Sequence, residues 1–580
     1  MERPKLTQKN RQAGSALVLT MVMTGAALAI LAGAMAWSAS NAKLNERANG
    51  YTRSVAAAEA GTEKVLSLIS RDFLLGGDKL VRDNLASYRL VTPTAADSTY
   101  WADWEFNDAS GNTGQTFVQS GISSNYAVLT PAYAGLRGFA TTYTVVSDAR
   151  QPGAVENVTG AVLQQLQLAR IPIFQFAMYT SGDMEVSCGA PFTINGRVHS
   201  NKQLYVEPDS SLTFASDVTA VGDILFGRHP LDTRGPVNGT VLYQAPGQPV
   251  PRQPALYLPI GMTNTPTAIR EIIEPPPAGE DPNSPLGQER YYNLAELILT
   301  VSDTATNATS GSFNGFTTTV PTNELAAFVT MTRSFYDDRE SKTMRPIDID
   351  VGAFKDWSAT NSSVRVALGY KDVSSIYIWD RRTPIANTMR VVRVSNGTQL
   401  PPRGLTVATA RPLYVQGHFN QSDSTNLGTT NTSTTLPASL VGDAITILSV
   451  NWTDANSVNT VANRDAQATT VNAAILAGAV ETTLGNYGGG MENFPRFLES
   501  WGSGNTFTYN GSMIKMFPSR YATNMWGKSN VYDPPRREWA YDINFEDGTK
   551  LPPLTPSLQK VVRSLWATVA PNRTTAPAGP

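Results

Sequence analysis

The stretch Ser15–Ser40, SALVLTMVMTGAALAILAGAMAWSAS, contains no charged side chain. Its apolar run from Ala16 to Ala36 holds about 21 residues, and a helix of that length measures about 31 Å, enough to cross the hydrocarbon core of a bilayer. The preceding segment, 2–14, carries four basic residues and one acidic residue. Because positively charged flanks stay in the cytoplasm, we expect a single-pass protein of the cytoplasmic membrane with its N-terminus inside. The body then lies in the periplasm or on the cell surface.

Three interpretations of this segment remain open. A secretory signal would be cleaved near Ala34–Ala36, although its apolar core would exceed the usual length of about 7–15 residues. An uncleaved signal anchor would hold a plain periplasmic domain. A prepilin would lose a basic leader, residues 1–14, by cleavage between Gly14 and Ser15. It would keep the apolar helix for packing against other helices of its kind.

The helical pattern does not stop at the membrane boundary. Residues 42–77, AKLNERANGYTRSVAAAEAGTEKVLSLISRDFLLGG, are rich in helix-forming residues until Gly76-Gly77. Val55, Ala58 and Val65 begin an apolar face at helical spacing that continues through Leu68. The sequence therefore predicts one helix over 15–76, apolar in its first half and amphipathic in its second.

Two short motifs carry a family resemblance: Gln12-Ala13-Gly14-Ser15-Ala16-Leu17 at the proposed processing site, and Ala57-Ala58-Glu59-Ala60-Gly61 after the membrane run. Over about 65 residues the chain resembles the N-terminal helix of type IV pilins and pseudopilins, specifically the PilX-type segment of minor pilins. The resemblance implies partnership with other pilins and with the pilus assembly machinery. It also implies cleavage at Gly14–Ser15.

The chain departs from the major pilins at Leu19. Major pilins carry a Glu at the fifth mature position, and counting Ser15 as first places Leu19 there. A carboxylate in the membrane is costly unless it is paired, so its replacement removes both the cost and the pairing. The resemblance then implies a minor, priming or tip-like subunit rather than the repeating shaft protein.

Small residues within the apolar run permit close approach of two helices, as association inside a membrane requires. The principal ones are Gly25, Ala29, Ala32 and Gly33. We expect this strip to contact other membrane helices.

Beyond the helix, short apolar stretches alternate with Gly, Asn and Pro turns, which is typical of β-strands. We predict an α+β, mostly β fold: a long N-terminal helix, a pilin-like head, and a parallel β-helix-like solenoid with insertions. The predicted divisions are a head at 77–170, a first solenoid segment at 171–230, an insertion or lateral domain at 231–400, a second solenoid segment at 401–530, and a C-terminal extension with a disordered tail at 531–580. Asn420–Leu436 has little to bury and is predicted to project as a polar loop.

Several sequence segments of the body resemble those of large bacterial surface proteins that join a PilX-type N-terminus to a β-solenoid. These are Asn195–Asn201, Pro412–Gly417, Glu492–Trp501 and Tyr509–Ser512. The resemblance implies an architecture and brings no activity with it.

Composition excludes several kinds of function. The 580 residues have a formal net charge of −2, which argues against a protein that coats nucleic acid. A single Cys, Cys188, permits no intrachain disulfide and no thiolate-cluster metal site, and only three His residues remain as ligands. We therefore expect no metal, no cofactor and no nucleic-acid partner.

The sequence offers one acidic pair for catalysis, Asp348 and Asp350, which lie two residues apart and share a face if their segment is a strand. Paired carboxylates can act as acid and base in sugar hydrolysis or hold Ca²⁺. The simpler interpretation is that they end a strand or cap the following helix. His199, His229 and His418 are distant in sequence, and Cys188 is predicted to be a buried small side chain. No catalytic residue is assigned.

Aromatic side chains are the better indication of binding, because they bury a large area at small entropic cost. The candidate binding residues are Trp526, Tyr532, Trp539 and Tyr541. We expect a non-enzymatic minor pilin that serves pilus assembly and display or adhesion, with a surface glycan or a protein as ligand. The alternative is a membrane-tethered, polysaccharide-active β-helix enzyme.

Overall fold

The computed structural model describes residues 13–123, 126–129, 135–154, 157–244, 248–303, 309–312, 318–502 and 504–573. Most of the predicted leader and the end of the predicted tail, 574–580, lie outside the described residues, and Gly14 and Ser15 are described only as helical backbone. A long N-terminal helix precedes a mostly β-stranded region with many parallel strands. This arrangement agrees with the predicted α+β, mostly β class.

Helix α1 spans Ala13–Asp83, and its helical backbone is interrupted at Gly76 and Gly77. The interruption falls where the sequence predicts the end of the long helix. Gly77 has φ of 71°, in the left-handed region where a side chain would be strained. From Ala16 to Arg53 almost every side chain is exposed, and this portion is long and apolar enough to cross a membrane. The described chain thus contains a helix compatible with a single-pass anchor.

The predicted packing strip lies along one side of this exposed half. Gly25, Ala29, Ala32 and Gly33 follow one another at i, i+4, i+7 and i+8, which places them on a common helix face. A Cβ built at Gly25 or Gly33 would have no atom of the described chain within 4 Å. The strip is therefore open to a partner, and its role in helix packing stays a prediction.

The second half of α1 packs against an antiparallel sheet, and we term this unit the head. A short helix, α2 (Leu85–Tyr88), follows α1. The strands of the sheet are β1 (Glu105–Asn107), β2 (Phe117–Ser123), β3 (Ala127–Val128), β4 (Arg137–Arg150), β5 (Gly160–Pro172) and β33 (Ser557–Val569). Their order is β1-β4-β5-β33, and β2 and β3 also pair with β4. Val65, Ile69 and Phe73 of α1 are buried in one cluster with Tyr143 and Leu166 of the sheet, so this contact forms the core of the head.

The last strand of the chain completes the head. β33 runs antiparallel to β5, with Ser557 opposite Pro172 and Val569 opposite Ala161. This segment falls within the predicted C-terminal extension, 531–580, whereas the structure pairs it with a strand that lies far earlier in the chain. The pairing covers the edge of β5, which would otherwise expose a row of unpaired backbone groups. The body, 173–556, therefore leaves the head after β5 and returns to it at β33.

The body contains short strands and a few short helices. Its first strands are β6 (Phe176–Thr180), β7 (Met184–Val186), β8 (Phe192–Ile194), β9 (Arg197–Ser200), β10 (Leu204–Val206), β11 (Ser211–Phe214), β12 (Val218–Ala220), β13 (Ile224–Phe226) and β14 (Thr240–Tyr243). The middle strands are β15 (Leu297–Val301), β16 (Thr309–Ser312), β17 (Thr319–Val320), β18 (Val329–Thr330), β19 (Phe335–Asp337), β20 (Lys342–Asp350), β21 (Ser375–Asp380) and β22 (Thr388–Ser395). The last are β23 (Leu405–Thr409), β24 (Leu413–Gln416), β25 (Ala438–Gly442), β26 (Ile445–Leu448), β27 (Thr469–Asn472), β28 (Ala474–Ala479), β29 (Arg496–Phe497), β30 (Thr506–Gly511), β31 (Met513–Pro518) and β32 (Arg536–Tyr541). The helices are α3 (Pro266–Arg270), α4 (Pro285–Glu289), α5 (Tyr291–Leu294), α6 (Thr322–Leu325), α7 (Val351–Thr360) and α8 (Ser362–Ala367).

Parallel ladders dominate the body. The long ladder has the order β12-β9-β6-β31-β28-β25-β23-β21-β15, with β16 and β17 added antiparallel at its end. A second set consists of two ladders, β13-β10-β7 and β20-β22-β24-β26-β29, and β18 and β19 pair with β20 in the antiparallel sense. A third set, which we term the third ladders, consists of β14-β11-β8 and β27-β30-β32. Apolar side chains from these ladders join in one large buried cluster, which is the core of the body.

In the segment predicted as the first solenoid segment, 171–230, the chain returns to the same ladder every 20 residues. Leu204 pairs with Met184 on one side and with Ile224 on the other. Leu212 pairs in the same way with Phe192, and Val218 with Val198. The regular turn spacing in the sequence reflects this register, although no repeated motif marks it.

The two predicted solenoid segments meet edge to edge. β6 of the first segment pairs in parallel with β31 of the second, Met178 opposite Met513 and Tyr179 opposite Ile514. The stretch between them, 231–400, does not form a separate lateral unit after β15, because β15 and β21 continue the long ladder and β20 and β22 continue a second ladder. The predicted boundary at 400 therefore does not coincide with a break in the ladders.

The polar segment Asn420–Leu436 lies against the third ladder and does not project, which corrects the prediction. Asn420 Nδ2 donates to the carbonyls of Leu436 at 2.7 Å and Asn472 at 2.8 Å, and Asn510 Nδ2 donates to the Thr429 carbonyl at 3.0 Å. The segment has few apolar side chains to bury, and hydrogen bonds from Asn420 and Asn510 hold its backbone carbonyls at Leu436 and Thr429.

Candidate binding groove

A break in the third ladders creates the main candidate site. β6 and β31 pair on the long ladder, but no described pairing joins β8 to β32 at the same level of the body. Two contacts bridge the two strands instead. The Tyr541 backbone N–H donates to Asn195 Oδ1 at 2.7 Å, and the rings of Phe192 and Trp539 meet edge to face with centroids 5.5 Å apart. The seam beneath these contacts keeps a cavity of only about 20 Å³.

A larger groove of about 490 Å³ opens beside this seam. Its volume falls within the range of about 300–1,000 Å³ typical of small-ligand sites. The wall consists of one end of β32, the turn after β8 and the segment after Gly428. Its residues are Thr193, Asn195, Thr430, Asn431, Thr432, Ser433, Trp539, Ala540, Tyr541, Ile543, Asn544 and Lys550.

Two of the four predicted aromatic residues line this groove. Trp539 is half-buried, and its Nε1 is buried without a hydrogen-bond partner among the described residues. Tyr541 is 6 % exposed, and its hydroxyl likewise lacks a described partner. Burial raises the pKa of the Tyr541 phenol, so the hydroxyl keeps its proton. The groove thus has an aromatic wall, and behind it two buried polar atoms have no hydrogen-bond partner among the described residues.

Gly196 allows the Tyr541 ring to lie where it does. A Cβ at position 196 would come within 2.6 Å of Tyr541 Cγ and 2.8 Å of the Ala177 Cβ. Only glycine leaves room for the ring at this point of the seam.

The opposite rim is held by hydrogen bonds within the polar segment. Thr432 is buried, and its hydroxyl donates to Asp542 Oδ1 at 2.8 Å. Asn544 Nδ2 donates to the Thr432 carbonyl at 2.9 Å, and Asn431 Oδ1 accepts from the Ser433 backbone N–H at 3.0 Å. These bonds fix the backbone of the rim, whereas the Thr430 and Ser433 side chains stay exposed.

The other two predicted aromatic residues lie elsewhere. Trp526 Nε1 donates to the Tyr532 hydroxyl at 3.0 Å, and the Tyr532 hydroxyl lies 3.3 Å from Asn493 Oδ1. Gly489 approaches the Trp526 ring so closely that a Cβ there would be 3.1 Å from it. The pair therefore takes part in packing around the Gly488–Gly490 turn, and the structure does not bring it together with Trp539.

The acidic pair Asp348 and Asp350 occupies structural positions. Asp350 caps α7 by accepting from the Ala353 backbone N–H at 2.9 Å. Asp348 accepts from Arg393 Nε, and Arg393 also donates to Asp454. Burial raises the pKa of Asp348 against the opposing influence of the Arg393 guanidinium. Both carboxylates thus have partners within the chain.

The histidines do not converge among the described residues, and no group of three His, Cys, Asp or Glu side chains there could hold a metal ion. His199 is stacked on Tyr179, and its ring nitrogens lie 2.8 Å from Thr219 Oγ1 and 3.0 Å from Asn201 Oδ1. Burial lowers the pKa of His199 to about 4. Burial also raises the pKa of the Cys188 thiol to about 12, as expected of an unreactive buried side chain.

A second groove, of about 220 Å³, holds charged residues that the sequence analysis did not select. Its lining includes the carboxylates Asp183, Glu185 and Glu481 together with Lys202 and Lys515. Glu185 accepts from the Thr482 hydroxyl at 2.6 Å, and burial raises the pKa of its carboxyl group. The spacing of Asp183, directly before β7, and Glu185, within β7, was the available signal, but Glu481 follows β28 and joins them only in the folded body.

The fold and the grooves define a class of protein: a chain whose described residues include one helix able to span a membrane, joined to a large, mostly β body. No protein-family profile matches the sequence, and no curated protein matches it. A comparison with solved structures finds similarity to the competence-associated pilin ComZ from Thermus thermophilus, at 11% identity and a TM-score of 0.27, covering 90% of this chain and 98% of that one. A TM-score of this size does not establish a common fold.

Proposed function

We propose that this protein is a pilin-type minor subunit that is anchored in the cytoplasmic membrane, enters a type IV pilus or pseudopilus, and displays its body for surface contact. The observation that carries the proposal is the division of α1. Residues 16–53 are exposed along almost their whole length, whereas the helix from Ser54 onward is buried against the head. A helix with one free apolar half and one packed half suits insertion into a membrane followed by packing among other such helices.

The place of the body within the chain supports a display role. The body enters after β5 and leaves before β33, which are neighbours in the head sheet. Both ends of the body are thereby attached to the same small unit. We infer that the ladders form a parallel β-helix, since three strands recur in each 20-residue period of the first solenoid segment. Such a body would be a stiff platform that extends from the anchored head.

Assembly would rest on the apolar half of α1. Because position 19 is a leucine, it offers no carboxylate to a neighbouring subunit. The contact with neighbouring helices would instead be made by the small residues Gly25, Ala29, Ala32 and Gly33. Cleavage between Gly14 and Ser15 would free the new N-terminus and leave the helix in the membrane.

The test is processing and incorporation in cells that express a prepilin peptidase. We expect intact-mass analysis to show loss of Met1–Gly14 and expect the protein to co-purify with sheared pili. The variant Gly14→Leu should stay unprocessed, and Ala13→Gly should serve as a matched control that is processed. Retention of the leader in the wild-type protein in the presence of an active peptidase would contradict the proposal.

A second candidate is the membrane-tethered polysaccharide-active enzyme. The gathering of Asp183, Glu185 and Glu481 in the second groove favours it, because glycoside hydrolysis uses two carboxylates. We favour a non-enzymatic body, since Lys202 and Lys515 border the same groove and offer these carboxylates opposite charges. Release of reducing sugar from a polysaccharide by the wild-type protein, abolished in Glu185→Gln, would establish the enzyme instead.

A further inference from the structure

We propose that the groove beside β32 binds a neutral glycan, with the Trp539 ring as the stacking surface. The inference rests on the proposed display function, because only an exported body meets extracellular glycans. The proposed display function does not specify a ligand, and the present inference adds its chemical class.

The first argument is the aromatic wall. Trp539 is held in place from behind by Phe192, at 5.5 Å between ring centroids, and by Tyr509, at 5.9 Å. Its orientation is therefore largely fixed before a ligand arrives, and the exposed part of the side chain lines the groove as an apolar surface. The Arg537 guanidinium lies over the same ring, 5.6 Å from its centroid. The apolar face of a pyranose ring matches such a surface.

The second argument is the supply of hydrogen-bonding atoms. Polar side chains along the groove can form hydrogen bonds with a ligand. Asn195 uses its Oδ1 for the Tyr541 backbone, which leaves its Nδ2 to donate. The exposed hydroxyls of Thr430 and Ser433 can each donate and accept. Sugar hydroxyls have the same dual character, so this set of atoms suits a polyhydroxylated ligand.

The third argument is charge. Lys550 is the charged residue that lines the groove, and its Nζ lies 3.1 Å from Asn544 Oδ1. A polyanion such as a nucleic acid is held by many cations at once, and one lysine does not provide that. An uncharged chain fits better than an acidic or basic one.

The fourth argument excludes an added peptide strand. A peptide that extended the third ladder would have to enter between β8 and β32. The Phe192, Trp539 and Tyr541 rings fill that seam, and only about 20 Å³ remains. The larger groove lies beside the seam and presents side chains to a ligand, which favours recognition of a glycan over strand addition.

The experiment is affinity electrophoresis of the full-length protein in a detergent without a sugar headgroup. Native gels would contain laminarin, hydroxyethylcellulose, dextran or galactomannan, with alginate as an anionic comparison. We expect retardation in at least one neutral polysaccharide and none that is specific to alginate. Isothermal titration with oligosaccharides of the retarding polymer would then give the affinity.

Matched variants locate the binding. Trp539→Phe keeps an aromatic ring against Phe192 but loses Nε1 and some of the exposed face, and we expect it to lower affinity about tenfold, or about 1.4 kcal/mol. Trp526→Phe is the control, because it alters a half-buried tryptophan outside the groove. Ser433→Arg should obstruct the groove, whereas Ser424→Arg places the same side chain at an exposed position of the same segment that does not line it.

Three outcomes would overturn the inference. These are the absence of retardation in every neutral polysaccharide, equal retardation of wild type, Trp539→Phe and Ser433→Arg, or binding to alginate alone. Because leader cleavage and pilus incorporation are measured separately, a failure here would leave the proposed pilin role standing. If the protein binds glycan but its leader is never cleaved, the glycan site would stand and the proposed pilin role would fall.

Discussion

The head and the body of this protein are held together in different ways. In every described ion pair within the head, at least one side chain is a third or more exposed, as in Arg563–Glu63 at 62 % and 33 %. The body instead buries complete pairs, such as Arg393–Asp348 at 1 % and 9 % and Arg270–Asp443 at 9 % and 0 %. The head therefore depends on apolar packing of a helix against one sheet, and the body adds charged contacts between segments that are distant in sequence.

The largest effect should come from removing the strand that closes the head. Truncation after Pro556 deletes β33 and exposes the edge of β5 together with apolar residues of the head that pack against Val561 and Val569. We expect the head to lose its protection in hydrogen exchange, while the ladders of the body keep theirs. Truncation after Asn572 is the control, because it keeps the whole of β33. Loss of protection in the body as well would show that the two units fold as one.

This closure also shows where sequence reasoning stops. The long helix, its end at Gly76-Gly77 and the mostly β body follow from local pattern, because apolar runs and turn residues act over short distances. The pairing of β5 with β33 joins segments that no local pattern connects. The same limit applies to the join of β6 and β31.

The candidate groove was only partly predictable, for the same reason. Trp539 and Tyr541 are conspicuous aromatic residues, so composition selects them. The opposite rim, Thr430–Ser433, looks like a projecting loop because it has nothing apolar to bury. Its position depends on hydrogen bonds to Asp542 and Asn510, which the sequence does not reveal.

The second largest effect should come from Arg393→Met. Its guanidinium is 1 % exposed and contacts both Asp348 and Asp454, so its loss leaves a buried carboxylate without a counter-charge. We expect the free energy of unfolding to fall by about 3–5 kcal/mol. Lys355→Met removes a lysine from an exposed pair with Asp356 and should change the free energy of unfolding by less than about 1 kcal/mol. Chemical denaturation of both variants measures the difference, and similar losses would refute the contrast between buried and exposed pairs.

Acidification should lower the free energy of unfolding of the body by a comparable amount. Burial lowers the pKa of His199 to about 4, below the ordinary value near 6.5. The unfolded chain therefore takes up a proton at higher pH than the folded chain does. Above pH 6.5 the folded and unfolded chains do not differ in the protonation of His199. As pH falls below 6.5, the free energy of unfolding decreases, by up to about 3 kcal/mol near pH 4.

The measurement is the free energy of unfolding at neutral and acidic pH for wild type and His199→Gln. The variant should be less stable at neutral pH, since it disturbs the contacts with Thr219 and Asn201, but it should lose less on acidification. His229→Gln, in the second groove, controls for a general effect of removing a histidine. Parallel pH profiles for wild type and His199→Gln would rule out the assignment.

A moderate effect should follow from Gly160→Ala at the start of β5. A Cβ there would lie 2.4 Å from the Val55 backbone nitrogen and 2.6 Å from the Ser54 carbonyl carbon. Helix α1 must shift to admit it, and we expect a loss of about 1–3 kcal/mol that is confined to the head. Gly153→Ala is the matched control, because a Cβ there has no neighbour within 4 Å. Hydrogen exchange of α1 locates the change.

The smallest effect should come from Arg563→Ala, which removes the ion pair between β33 and Glu63 of α1. The arginine is 62 % exposed, so water and salt screen the attraction and the expected cost is below about 1 kcal/mol. A double-mutant cycle with Glu63→Gln isolates the pair from other contacts. A coupling as large as that of a buried pair would mean that charge, and not only apolar packing, closes the head. A small coupling would leave the apolar contacts of Val561 and Val569 as the reason that the last strand returns to the head.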